Sequence, residues 1–228
     1  MNGWHNDCPL HANTCMHDAL FNYIEAKAGE KLTDNECDAI KAAFRRKRMR
    51  KREYFLREGD VCGYIGFIVK GSARMFSVDE KGHEHIMHFA LESWWLRDQE
   101  SMIELTPSRY YIEMLEESEL LVISFPNELE LRNNSRCFDL TVRAHDRFEM
   151  IAMLKRIHSA IGMTAEERFC HLSSTYPEFL QRFPMTMIAS YLGLSPETLS
   201  RIRRNAMIPN NKAAGSPERD ARPGIKSY

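Results

Sequence analysis

Polar side chains recur at helical spacing near the end of the chain, in MTMIASYLGLSPETLSRIRR (residues 185–204). Glu197, Ser200, Arg201 and Arg204 are three or four residues apart, which places them on one face of a helix. Arginine forks onto guanine O6 and N7, glutamate accepts from cytosine N4, and serine binds phosphate oxygens. This face therefore has the chemistry to contact base pairs in a major groove.

Two short helices are predicted to position this face. Gly193 ends the first helix, because glycine adopts a positive φ without steric cost. Ser195 caps the second helix, with Pro196 at its first position. Leu199 and Ile202 then point inward. This is helix-turn-helix geometry, with an ordinary helical hairpin of polar outer face as the alternative. The predicted DNA-binding residues are Ser195, Glu197, Thr198, Ser200, Arg201 and Arg204.

The charge distribution along the chain supports an anionic partner for this end of the molecule. The net charge of the 228 residues is −1, but residues 181–228 hold eight basic and three acidic residues, a balance of +5. Residues 1–180 are correspondingly acidic, at −6. A basic C-terminal part attached to a mildly acidic body is typical of a chain whose C-terminal part binds an anion.

A second basic feature is the run RRKRMRKR (residues 45–52), which has seven basic side chains in eight positions. Such a run attracts phosphate without sequence preference. Runs of like charge are nonetheless more often solvated surface than specific sites. The run by itself leaves both interpretations open.

Two groups of histidine and cysteine residues raise the question of a metal. Near the N-terminus, Cys8, His11 and Cys15 are separated by short spacings that suit metal ligands, but an N-terminal arm with incidental cysteines explains them equally well. In GHEHIMHFALE, His83 and His85 share one face of a strand and His88 takes the other. This arrangement does not suit a metalloenzyme, because Glu92 lies too far along. No P-loop, GxGxxG or Ser/His/Asp pattern is present. We predict no enzyme activity, no metal site and no cofactor.

The wider sequence predicts an α+β fold. Residues 18–44 have helical periodicity, with a capping box at Thr33 and Glu36. The next segment is rich in aromatic and β-branched residues and is interrupted by glycines at intervals of 11–12 residues, as expected of an antiparallel β structure. From Cys137 to Gly162 an apolar stripe predicts one long helix, and its exposed stripe favours a dimer seam.

The order and spacing of these pieces resemble the Crp/Fnr family of transcription regulators. The resemblance rests on LREGD, IVKGSARMF, EKGHEHI and IASYLGLSPETLSRIRR, and Glu197, Ser200 and Arg201 fit the E-x-x-S-R pattern of the Fnr-like branch. It implies a cyclic-nucleotide-binding-like, jelly-roll-like β-roll flanked by helices (residues 1–136), a dimerisation helix (137–162), a helix-turn-helix domain (163–204) and a flexible tail (205–228). In this architecture the run 45–52 lies away from the DNA-reading helix, so we interpret it as a solvated edge strand.

The chain departs from this family where the cyclic phosphate is held. Alignment places Arg97 and Asp98 at the family's Gly-Glu pair, and Ser108 and Arg109 at its Arg-Ser pair. A bulky arginine replaces the glycine that lets the backbone approach the phosphate. We therefore expect an unknown small-molecule effector other than cyclic AMP or GMP. Cys8 and Cys15 also do not match the Fnr iron–sulfur pattern.

We accordingly predict a homodimeric regulator that binds double-stranded DNA at a palindromic site. The runner-up is a β-roll ligand-binding or signalling module without functional DNA binding, since no strand-like alternation follows Arg204 where relatives have a wing. No signal peptide is recognisable, and no apolar run approaches the roughly 18 residues of a membrane span. We expect a cytoplasmic protein with free thiols and no membrane contact.

Overall fold

The computed structural model describes residues 16–207. Its helices are α1 (Met16–Ala28), α2 (Asp34–Ala43), α3 (Gln99–Glu104), α4 (Phe125–Asn134), α5 (Arg136–Gly162), α6 (Ala165–Thr175), α7 (Pro177–Arg182), α8 (Met185–Leu192) and α9 (Pro196–Met207). Its strands are β1 (Arg45–Met49), β2 (Tyr54–Leu56), β3 (Tyr64–Lys70), β4 (Ala73–Val78), β5 (Glu84–Ala90), β6 (Trp95–Leu96), β7 (Tyr111–Met114) and β8 (Ser118–Ser124).

The strands form two four-stranded antiparallel sheets, which confirms the predicted β-roll. Sheet A has the order β1-β8-β3-β6 and sheet B the order β2-β7-β4-β5. Gly71 makes the tight turn between β3 and β4 at φ 106°, and an added Cβ would lie 2.2 Å from the Ser118 hydroxyl. This turn therefore requires glycine.

The first five residues of the basic run form strand β1, at one edge of sheet A, and residues 50–52 follow the strand. Its pairing with β8 places Arg45 opposite Val122 and Met49 opposite Ser118. The four residues from Arg45 to Arg48 are exposed, and Met49 is buried. The structure thus confirms the interpretation of an exposed edge strand.

One hydrophobic core combines buried side chains of both sheets with those of the helices that flank sheet A. Buried side chains from α1 and α2, including Leu20, Ile24 and Ile40, pack there with sheet A and with Phe138 at the start of α5. The predicted capping box at Thr33 fixes the start of α2, since the Glu36 backbone N–H donates to the Thr33 hydroxyl. These contacts hold the N-terminal half of α5 against the roll.

A second core joins sheet B to the C-terminal helices. Phe89 of β5 stacks on Phe183 with ring centroids 4.2 Å apart, and Phe179 of α7 lies edge-on to the Phe89 ring. Ile188 of α8 and Leu199 of α9 are buried in this cluster. The C-terminal helices therefore pack directly on the roll through a continuous apolar contact.

Several boundaries differ from the sequence prediction. Helices α3, α4 and α7 were not predicted. Helix α5 starts at Arg136 because Ser135 caps it, and it ends with an extended residue at Met163 rather than a left-handed Gly162. Helix α9 extends to Met207. Cys8, His11, Cys15 and residues 208–228 of the predicted tail lie outside the described residues.

Candidate nucleic-acid interface and effector pocket

The turn between α8 and α9 has the backbone geometry that the sequence predicts. Gly193 has φ 66° and ψ 39°, and its N–H bonds to carbonyls of the last turn of α8. The Leu194 N–H donates to the Ala189 carbonyl at 2.9 Å. The Arg168 guanidinium of α6 donates to the Leu192 carbonyl at 2.8 Å, which ties α8 to the rest of the C-terminal part.

Ser195 and Thr198 form the N-terminal cap of α9. The Thr198 N–H donates to the Ser195 hydroxyl at 3.2 Å, and that hydroxyl lies 3.1 Å from the Thr198 hydroxyl. Thr198 is half-buried, whereas Ser195 is exposed. The two predicted contact residues therefore already have a structural task, which is to begin the helix.

The remaining predicted residues share one solvent-facing side of α9. Leu199 and Ile202 are 1% and 3% exposed and point into the core, whereas the opposite side is open. The pKa of the Glu197 carboxyl is lowered, because the carboxylate accepts a hydrogen bond from its own backbone N–H. It is therefore an ionised acceptor at neutral pH. The exposed residues of this face are Glu197, Ser200, Arg201 and Arg204.

Hydrogen bonds fix α8 and α5 to the free edge of β5. Ser190 of α8 accepts from the Ile86 N–H at 3.0 Å and donates to the Glu84 carbonyl at 2.9 Å. Arg156 of α5 donates to the Ile86 carbonyl at 3.1 Å and to the Met87 carbonyl. Side chains from two helices thus satisfy backbone groups that an edge strand would otherwise present to solvent.

An ion cluster provides a third link between the roll and the C-terminal helices. Arg182 of α7 donates to Glu92 at 2.5 and 3.0 Å and to Glu116 at 2.7 and 3.1 Å. The bonds from Arg182 lower the pKa of Glu116. Burial acts in the opposite direction at Glu92, but Arg182 still holds the pKa of Glu92 below its usual value. Both carboxylates are therefore charged at neutral pH.

Arg97, which the sequence predicts to take the family's glycine position, points across to α5. Its guanidinium donates to Asp146 at 2.7 Å and to Glu149 at 3.0 Å, and its side chain is 9% exposed. Burial would raise the pKa of Glu149, but His145 and Arg97 outweigh it and lower that pKa to about 2. The arginine is therefore held by two charged carboxylates of the long helix.

The cassette consists of the four residues aligned with the family's phosphate site, Arg97, Asp98, Ser108 and Arg109. Its other three members also bond within the chain. Asp98 is buried, caps α3 through the Ser101 N–H, and accepts from the Ser108 hydroxyl at 2.7 Å. Arg109 is exposed and pairs with Glu100 at 2.9 Å. The structure brings Asp98 and Ser108 together, but it does not bring Arg97 and Arg109 onto one ligand-sized site.

Between Arg97 and α5 lies a cavity of about 10 Å³, roughly the space of one water molecule. It is lined by Trp95, Arg97, Thr141 and His145 among others. The Arg97 Nε atom is buried there without a hydrogen-bond partner. In this conformation the space beside the cassette is too small for a nucleotide.

Two histidines of the hairpin formed by β4 and β5 lie beside one aspartate. His83 Nδ1 lies 3.2 Å and His85 Nε2 3.1 Å from Asp79 Oδ2. The pKa of Asp79 is lowered, chiefly because its carboxylate accepts from the His83 backbone N–H. The prediction that His88 takes the other face of β5 is wrong, because a bulge in the pairing of β4 with β5 places His88 opposite Met75 and His85 opposite Ser77, on one face. Burial lowers the pKa of His88 to about 4, and its ring lies 5.4 Å from that of Trp94. Within residues 16–207 no cluster has the geometry of a metal site.

The C-terminal half of α5 presents a broad apolar surface. Its N-terminal half is buried at Phe138 and Val142, but the large apolar side chains beyond residue 147 are about half exposed or more. They are Phe148, Met150, Ile151, Met153, Leu154, Ile157 and Ile161. Across residues 16–207, none of the helices is both long enough and apolar enough to cross a membrane.

Comparison with known proteins finds a family model that is similar to the β-roll. Residues 46–135 match the model of the cyclic nucleotide-binding domain. No curated protein matches the chain in sequence.

Solved structures share the fold over most of the chain. The c-di-GMP responsive global regulator CLP of Xanthomonas campestris aligns with a TM-score of 0.63 at 16% identity, over 81% of this chain and 96% of its own. A CooA mutant from Carboxydothermus hydrogenoformans aligns with a TM-score of 0.60 at 13% identity, over 79% and 82%. FixK2 from Bradyrhizobium japonicum gives 0.59 at 18% identity, over 71% and 83%. Residues 46–135 thus resemble a cyclic nucleotide-binding domain, and the chain has the fold of the Crp/Fnr-type regulators.

Proposed function

We propose that the chain is a DNA-binding transcription regulator that binds a palindromic site as a homodimer. The observation that carries the proposal is the exposed face of Glu197, Ser200, Arg201 and Arg204 on α9, opposite the buried Leu199 and Ile202. A helix of this kind, held by a second helix across a tight turn, fits the major groove. Arg201 makes the main base contact, to a guanine in each half-site, and Glu197 accepts from a nearby cytosine.

The apolar surface of α5 supports the dimer. Seven large apolar side chains at about 50% exposure or more form a surface that is unusual for a monomer. Pairing of this helix with its copy would bury the surface around a two-fold axis. The two α9 helices would then meet half-sites about 34 Å apart, which is one turn of DNA.

The cassette supports an effector other than a cyclic nucleotide. Arg97 takes the glycine position, and its guanidinium is bound by Asp146 and Glu149. Asp98 and Ser108 bond to each other rather than toward open space. We expect no binding of cyclic AMP or GMP at micromolar concentration, which calorimetry measures directly.

Selection from random duplex DNA, followed by gel shift, tests the proposal. The expected result is a palindromic consensus with a guanine in each half-site. Replacement of Arg201 by alanine should cost about 1–3 kcal/mol per half-site and relax preference at that one base pair. Arg203→Ala is the matched control, because it removes the same charge from a flank of α9 rather than from its outward face.

The possible outcomes separate the proposal from its runner-up. If Arg201→Ala and Arg203→Ala lose equal DNA affinity and base preference is unchanged, Arg201 does not contact a base. Failure to recover any palindrome would instead favour a β-roll ligand-binding or signalling module without functional DNA binding.

A further inference from the structure

The two sheets of the roll have four edges, and they are not equally protected. The β5 edge is covered, because Ser190 and Arg156 bond to its backbone groups. Strands β2 and β6 are edges of only three and two residues. Among the described residues, β1 is therefore the long sheet edge whose side chains are solvent-exposed.

Strand β1 is exposed on both of its faces. Arg45 and Lys47 alternate with Arg46 and Arg48, and all four are exposed, although only one face of a strand needs to be. Lys47 extends its stem toward the Phe55 ring, with Nζ 5.8 Å from the centroid, and Arg48 lies 3.2 Å from Glu119. Cationic side chains thus line both sides of an edge whose outward backbone groups point away from β8.

We propose that β1 binds an extended acidic peptide segment of a partner protein, which adds to sheet A as a further strand. Backbone bonds to the edge would supply affinity, and alternate carboxylates, which share one face of the added strand, would pair with the basic side chains on that face of β1. Five residues of β1 span about 17 Å, so the matching segment is about five or six residues long. This partner site is additional to the DNA contacts of α9.

Other occupants have less charge complementarity. A second copy of β1 would bring two sets of four basic side chains together, which opposes edge-to-edge pairing. Residues 1–15 hold a single acidic residue, Asp7, and residues 208–228 hold four basic and two acidic residues. Neither end of the chain is therefore an acidic strand.

Duplex DNA fits this surface less well than a short peptide. The rest of residues 1–180, outside the run, carries 29 acidic against 16 basic side chains. A long polyanion lying along β1 would extend past the run toward a part of the chain with net negative charge, whereas a segment of five or six residues stays beside the basic side chains.

The test uses the full chain and a fluorescent peptide of about ten residues in which threonine and glutamate alternate. Fluorescence anisotropy measures its binding at about 50 mM and 200 mM salt, beside the same peptide with glutamine for glutamate and a non-palindromic duplex of about 20 base pairs. The variant Arg45→Gln with Arg50→Gln removes two charges from the run. Lys31→Gln with Lys81→Gln removes two charges elsewhere and is the matched control.

The proposal expects binding of the glutamate peptide that weakens with salt, falls about fivefold or more in Arg45→Gln with Arg50→Gln, and is unchanged in the control. Hydrogen exchange should slow at backbone amides of β1 when the peptide is bound, as strand addition requires. The proposal is overturned if the peptide does not bind, if both variants lose affinity equally, or if β1 amides stay unprotected. Binding of the duplex through the run, without the peptide, would assign the surface to nucleic acid.

Discussion

Replacement of Arg97 by methionine tests the most unusual feature of the cassette. Methionine keeps most of the length and apolar stem of the side chain but removes the guanidinium, which bonds to Asp146 at 2.7 Å and Glu149 at 3.0 Å. The substitution therefore deletes the ionic link between the roll and α5 without opening a large cavity.

The size of the effect follows from the exposure of the three groups. Loss of one partner of a fully buried ion pair costs about 3–5 kcal/mol. Here Arg97 is 9% exposed, but Asp146 and Glu149 are 38% and 41% exposed, so their carboxylates can be rehydrated. We expect the free energy of unfolding at pH 7 to fall by about 1–3 kcal/mol, the range of one or two charge-assisted hydrogen bonds.

The pH dependence gives a sharper test than the magnitude. The pKa of Glu149 is about 2 in the folded chain and ordinarily 4.5, so its contribution to stability is present above pH 4.5 and is lost as the pH falls toward 2. Arg97→Met removes the part of the Glu149 pKa shift that Arg97 causes, and the part that His145 causes remains. Solvent screening limits the contribution of Glu149 to about 1–2 kcal/mol. The variant should therefore lose less stability than the parent between pH 5 and pH 3.

Urea denaturation followed by circular dichroism at pH 7, 5 and 3.5 measures both effects. Arg109→Met is the matched control, because Arg109 belongs to the same cassette but forms an exposed ion pair with Glu100. That pair is screened by solvent and should contribute much less to stability than the contacts of Arg97. If the two variants lose the same stability at pH 7, or if Arg97→Met retains the acid dependence of the parent, the link between Arg97 and α5 does not carry the energy assigned to it.

Two further substitutions test other parts of the fold. Gly71→Ala should lower the free energy of unfolding by about 2–4 kcal/mol, because φ is 106° and the new Cβ would lie 2.2 Å from the Ser118 hydroxyl. Thermal denaturation measures this loss. The control is Gly82→Ala, which has a positive φ but lies in open space and should cost about 1 kcal/mol. Leu154→Glu should convert the proposed dimer to a folded monomer, as measured by light scattering, because the side chain is 60% exposed in the single chain. The control Lys155→Glu should leave the dimer intact. If both variants remain dimers, the interface does not include this face of α5.

The elements with strong local signals were predictable from the sequence. The capping boxes at Thr33 and Thr164 mark the starts of α2 and α6, and in both the glutamate three residues later closes the box. The exposed face of α9 followed from the spacing of its residues. Prediction of the edge position of β1 also required the family architecture, because a run of like charges shows no hydrophobic periodicity that would indicate a strand.

The missed elements had weaker or shorter signals. Helix α3 has six residues, too few to show a helical period, and its start depends on the cap by Asp98. Helix α4 did carry a signal, a cap at Ser124 with proline in the first turn, which could have been recognised. In each case the neighbouring strand pattern dominated the interpretation of the segment.

Contacts between distant segments were not accessible from the sequence. The partners of Arg97 lie about 50 positions further along, and nothing local distinguishes an arginine that blocks a phosphate site from one that binds it. The same holds for the contact of Phe89 with Phe183, since alternation places Phe89 on a face of β5 without specifying what covers that face. Both contacts depend on packing between elements.

These long-range contacts constrain any effector that acts through the cassette. Arg97 is held by Asp146 and Glu149 of α5, and farther along the same helix Arg156 bonds to β5 and to the Tyr191 carbonyl of α8 at 3.4 Å. An anionic ligand would have to withdraw Arg97 from two carboxylates, and a cyclic phosphate brings a single negative charge to that competition. We therefore expect an effective ligand either to carry more negative charge than a cyclic nucleotide or to leave the arginine in place.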